Sequence, residues 1–192
     1  MGSEGWRAAV DESELRSFLY EHTPKWITEQ EALLRVIALP LPSDLHERLA
    51  PFFGDGLADA KISSVPVSNP TWYSDLRTSG VDQRDLLDFS NLVAITFNTT
   101  VNLFPDAQEP TMGLLFHEFV HVLQYRLHGV QEFTRRYVDG WLAGKGFIDR
   151  PDLRYVSIPL ERQAYDLQAR FAAAPNSAFS VAEALHQEPA SA

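Results

Sequence analysis

The stretch Thr111 to Gly129, TMGLLFHEFVHVLQYRLHG, constrains this chain more than any other. Strong helical periodicity and apolar flanks place it as a helix buried in a domain core. Pro110 or Thr111 opens it, and Gly129 follows His128 where a left-handed cap is favoured. Inside it lies His117-Glu118-Phe119-Val120-His121, the pattern HExxH. Histidines four apart share one helical face about one turn apart, so both imidazoles can reach one metal ion. Glu118 sits about 100° round the same turn, where it can hold a water beside the metal without being a first-choice ligand. The bland alternative is two histidines hydrogen-bonded in a packed core.

The 192 residues contain no cysteine, which excludes disulfides, thiolate zinc sites and cysteine nucleophiles, and leaves any metal to His, Asp or Glu. Zinc needs a third protein ligand if a fourth position is to stay open. His128 stands seven residues beyond His121, about 10 Å along an unbroken helix, and cannot share that metal. A metzincin arrangement requires Gly and His where this chain has Gln124 and Leu127. Glu161 is the better candidate. Leu160, Ala164, Leu167 and Phe171 form an apolar helical stripe with Glu161 at its border, and the small Ala164 lets that helix approach another closely. Asp139 is the runner-up, and Glu132 is too near the first helix to fold back. Ordinary alternatives are a first-turn Glu for Glu161 and a helix-end residue for His128.

With 16 Lys and Arg against 26 Asp and Glu, the net charge is −10, which disfavours nucleic acid as the main partner. A content of 45% hydrophobic and 22% charged residues predicts one folded domain over 1–192, with a helical segment at 1–55 and a flexible tail at 187–192. No apolar run approaches the length of a membrane span, and Met1 to Val10 lacks a signal-type apolar region, so the expected compartment is cytoplasmic. Pro24, Pro40 and Pro42 should divide the first 54 residues into short helices. Asp59 to Val67 reads as a strand at or near a sheet edge. Leu92 to Phe97 and Thr100 to Phe104 read as two β pieces around Asn98-Thr99, a hairpin or one bent strand. Further helices are predicted over 131–143, from Pro159 to Ala173 and over 181–186, with an irregular connection at Gly144, Gly146 and Pro151. Arg135 and Arg136 read as a solvated face, and Trp26, Trp72 and Trp141 as core residues or cleft lining.

HEFVHVLQY followed by PLERQAYD resembles the zincin-like metallopeptidases of gluzincin type, in particular short bacterial domains with HExxHxxQ and a later ExxAY-like motif. The segments around Ala94–Phe97 and Val101–Leu103 resemble the edge strand that precedes the active helix there. The resemblance spans roughly residues 59–171. It implies an α+β fold with N-terminal helices, a small twisted sheet, the HExxH helix and a C-terminal helical part carrying the third ligand. It also implies His117, His121 and Glu161 as zinc ligands, Glu118 as general base, and a peptide adding to the edge strand. The expected activity is zinc-dependent hydrolysis of a peptide or amide bond. The alternatives are a zincin-like enzyme acting on a small-molecule biosynthetic intermediate and a non-catalytic interaction module. Tyr137, Tyr155 and Tyr165 are candidate donors to a developing oxyanion, and packing is the ordinary reading of each. Residues 1–55 read as structural rather than as a pro-segment.

Overall fold

The computed structural model describes residues 11–105 and 110–187, so the N-terminal ten residues and most of the predicted tail lie outside it. The fold is α+β, mostly helical, with one small mixed sheet. The first helix, α1 (Glu12–Arg35), starts with a capping box in which Asp11 accepts from the Glu14 amide and Glu14 from the Asp11 amide. Contrary to expectation, Pro24 does not divide it. Pro24 is buried in a helix that also buries Leu15, Leu19, Trp26, Ile27 and Leu34, so packing outweighs the missing hydrogen bond.

After β1 (Leu39–Pro40) and α2 (Ser43–Phe53), the chain enters β2 (Lys61–Ser63), passes through α3 (Tyr73–Thr78), and forms a hairpin of β3 (Ala94–Phe97) and β4 (Thr100–Leu103). The sheet order is β1-β2-β4-β3, with β2 and β4 parallel and the other pairs antiparallel. The predicted strand lies next to the edge strand β1, near the sheet edge as expected, but it is only three residues long rather than spanning Asp59 to Val67. Beyond Ser63 the backbone pairs with a side chain. Val65 donates to Asn102 Oδ1 at 3.2 Å and accepts from Asn102 Nδ2 at 2.9 Å. The two β pieces form a hairpin whose two-residue turn puts Asn98 at φ 52°, a conformation Asn tolerates. Glu31 of α1 clamps that turn, accepting from Asn98 Nδ2, the Thr99 amide and the Thr99 hydroxyl.

The motif helix is α4 (Met112–Ala143), capped by the Thr111 hydroxyl accepting from the Leu114 amide. It breaks at Gly129, where φ 71° and ψ 161° lie outside the left-handed helical region expected of a cap but in backbone space that is essentially glycine's. The arms 112–128 and 130–143 thus point differently while remaining one stretch of chain. The predicted irregular connection holds a helix of its own, α5 (Pro151–Ser157), before α6 (Pro159–Ala173) and α7 (Val181–His186). Two cores result. One packs α2, the outer side of the first α4 arm, α6 and α7 around Phe52, Phe116 and Phe171. The other packs α1 against Phe97, the second α4 arm and Ile158. No helix among the described residues is long and apolar enough to cross a membrane.

Candidate metal centre

The first arm of α4 is buried on every side from Leu115 to Tyr125, so His117, Glu118, His121 and Gln124 are held by packing all round. Glu161 enters from the first turn of α6, which Pro159 opens. It is 1% exposed. Its Oε2 lies 3.2 Å from His117 Nε2, its Oε1 lies 3.4 Å from His121 Nε2, and the two Nε2 atoms are 3.1 Å apart. A tetrahedral ion bound at zinc's usual ligand distances would set its ligand atoms about 3.3 Å from one another. His117, His121 and Glu161 are the buried group among the described residues whose ligand atoms converge in this way and could hold a metal ion.

Hydrogen bonding supports that fit. Gln124, fully buried, donates from Nε2 to the Leu160 carbonyl and to Gln163 Oε1, both at 3.0 Å. Its Oε1 is left to accept from His121 Nδ1 at 2.7 Å. A proton on Nδ1 leaves the His121 Nε2 lone pair facing His117 and Glu161, the state a metal ion would need. His117 Nδ1 has no partner, and the Tyr165 ring, 4.4 Å away between centroids, packs on its imidazole instead. With protons as the only cations, burial pulls His121 down, but Glu161, Glu118 and Gln124 together outweigh it and raise the imidazole to about 9. Burial would raise Glu161, and the two histidines overcome it and hold the carboxyl far below the usual range.

Glu118 lies beside the cluster but is not part of it. The Thr96 hydroxyl of β3 reaches its Oε2 at 2.7 Å. Burial pushes the Glu118 carboxyl up, against the opposing pull of both histidines. Of the three candidate tyrosines, Tyr137 donates to Glu161 Oε1 at 2.9 Å and so orients that carboxylate. Tyr155 lines the adjoining chamber, and Tyr165 remains partly exposed over His117. The runner-up ligand Asp139 is elsewhere, accepting from Tyr20 at 2.5 Å and Arg16 at 3.2 Å of α1. Glu132 pairs with Arg136. His128, only partly buried, stands outside the metal-ligating cluster. Trp26 and Trp141 line the chamber, whereas Trp72 packs on Phe18 and Tyr73 away from it.

The chamber opens beside Glu118, His121 and Glu161 and has a cavity volume of about 90 Å³. Its walls are α1, residues 85–97 and the second α4 arm. One wall is β3, which in the described sheet pairs on one side only. The amide of Phe104 bonds to Val93 across the hairpin, and the alternation of an antiparallel pair then turns the peptide groups of Ala94 and Thr96 away from β4. Arg154, invisible as a site residue in the sequence, is 1% exposed and braces the far wall. It donates to the Trp141 and Arg84 carbonyls, approaches Asp85 at 3.5 Å, and lies 4.0 Å over the Trp141 ring. Comparison with known proteins finds no matching family model, no matching curated protein and no matching solved structure.

Proposed function

We propose that the chain is a zinc-dependent hydrolase of peptide or amide bonds, built as a gluzincin-type zincin-like domain, with His117, His121 and Glu161 holding the metal. The observation that carries the reading is the convergence of those three buried side chains with a fourth carboxylate, Glu118, beside them and outside the cluster. Zinc, when bound, supplies Lewis acidity that polarises a carbonyl and makes a water more acidic. Glu118 accepts the proton of the attacking water on its carboxylate and passes it to the leaving nitrogen. The Thr96 hydroxyl holds one Glu118 oxygen, and burial raises the carboxyl's basicity towards that task. The edge of β3 left unpaired among the described residues suits an extended peptide, whereas the apolar chamber suits a small amide.

Glu118→Gln keeps the shape and the bond from Thr96 but cannot take up a proton. Zinc content should match wild type, while turnover of amide-containing small molecules or of a mixed peptide library falls about 10²- to 10⁴-fold. Full activity in the variant overturns the assignment of Glu118. Protein purified without chelator that carries no metal favours the non-catalytic interaction module.

A further inference from the structure

We propose that the substrate of this site carries a neutral aromatic group, of indole or phenol size, that lies in the chamber beside the metal-ligating side chains. The inference rests on the hydrolase reading for what happens at the metal, and on the chamber for everything else. The cavity volume of about 90 Å³ leaves room for several water molecules, and the open mouth adds to it.

The charges select a neutral group. Away from His121 and the metal-ligating cluster, no Lys or Arg among the described residues lines the chamber, so a carboxylate or phosphate placed there meets no counter-charge. Three carboxyl groups do line it, and each is engaged. Asp85 faces the buried Arg154, Glu118 accepts from Thr96, and Glu161 faces both histidines and Tyr137. Away from the Glu118 oxygen that serves the water beside the metal, a cation therefore finds no free carboxylate, and one face of Trp141 already lies under Arg154.

The walls select an aromatic group. Trp26 and Phe89, 4.8 Å apart between centroids, present ring surface from α1 and from the segment before β3. Phe133 presents another from the second α4 arm. Tyr125 lines the same space and is only 3% exposed, and its hydroxyl has no hydrogen-bond partner among the described residues. A hydroxyl in the chamber without a protein partner is satisfied by water or by a polar atom on whatever fills the space, such as an indole N–H or a phenol O–H.

The test uses the zinc-loaded full chain and hydroxamates, which anchor at a metal and differ only in their tails. Calorimetric titration with acetohydroxamate, indole-3-acetohydroxamate, succinate monohydroxamate and trimethylammonioacetohydroxamate should rank the indole tail about tenfold or more above the methyl. Neither charged tail should exceed the methyl. Thr23→Trp, which fills the chamber from α1, should bring the indole-to-methyl ratio towards one, and Leu92→Trp serves if the first variant does not fold. Equal affinity for all tails, or a preference for either charged tail, overturns the proposal. No zinc uptake, or no binding of acetohydroxamate itself, counts against the hydrolase reading instead. In that event indole-3-acetamide and acetamide are compared by saturation-transfer NMR on the chain as purified. An indole signal lost in Thr23→Trp supports the chamber's role, and no indole signal overturns it.

Discussion

Gln124 takes its hydrogen bonds from α4 and α6 at once, joining His121 to the Leu160 carbonyl and Gln163. Gln124→Ala removes the acceptor for His121 Nδ1 and frees that ring to rotate. Zinc affinity, measured by competition with a chromophoric chelator, should fall about 10- to 100-fold, the usual cost of losing a partner behind a metal-binding histidine. His128→Ala should leave it unchanged. Equal losses in both variants would remove Gln124 from that role. At this scale the histidine pair was legible because four-residue spacing is a local property of a helix. The cluster with Glu161 also forms as its place on an apolar border suggested. The supporting contacts were not legible, because Thr96 lies 22 residues from Glu118, Tyr137 lies 24 from Glu161, and Gln124 lies 36 from Leu160. Nothing local to a threonine, a tyrosine or a glutamine announces such a partner.

The second arm of α4 meets the α5–α6 junction at Gly140. A Cβ built there stands 2.8 Å from Pro159 Cδ and 3.2 Å from the Ile158 Cα. Alanine is otherwise the better helix former by up to about 1 kcal/mol, so the sign of Gly140→Ala depends on whether those neighbours can yield. One is backbone and the other a ring fixed to backbone, so the overpacking cost of about 1–3 kcal/mol should prevail. The melting temperature should drop by several degrees. Zinc affinity should drop too, because Glu161 follows Pro159 by two residues. Gly146→Ala, with nothing within 4 Å of the added carbon, is the control, and the same melting temperature in both would refute the close approach. Elements with strong caps and stripes, α4 and α6 above all, are readable in sequence. Pro24 misled because tertiary burial outweighed a local rule, and α5 was hidden because Gly144, Gly146 and Pro151 signal irregularity before a helix whose buried residue is a charged one, Arg154.

Across the whole molecule, charge at the buried cluster couples folding to pH. In metal-free protein the His121 imidazole titrates at about 9 against 6.5 when unfolded, so its stabilising contribution is complete below about 6.5 and fades as pH rises through 9. The depressed Glu161 contributes above about 4.5, its unfolded value, and loses that contribution only as pH falls. His128, which burial pushes down, titrates below this window. Chelator-treated protein should therefore lose melting temperature between pH 6.5 and 9. Zinc competes with the proton for the imidazole, so the gap between zinc-loaded and metal-free melting temperatures should widen over the same range. Parallel pH profiles would refute the linkage. The sheet order was the least legible feature, since β1 is two exposed residues and the parallel pairing of β2 with β4 joins segments 39 residues apart. The clamp that α1 places on the hairpin also bears on synthesis. Glu31 leaves the ribosome 68 residues before Thr99, and Tyr20 leaves it 119 before Asp139. During that interval the apolar side of α1 lacks part of its native surroundings, and a nascent chain in that state is exposed to aggregation. The chamber wall is thus made before the parts it packs on, and it finds its place only once they follow.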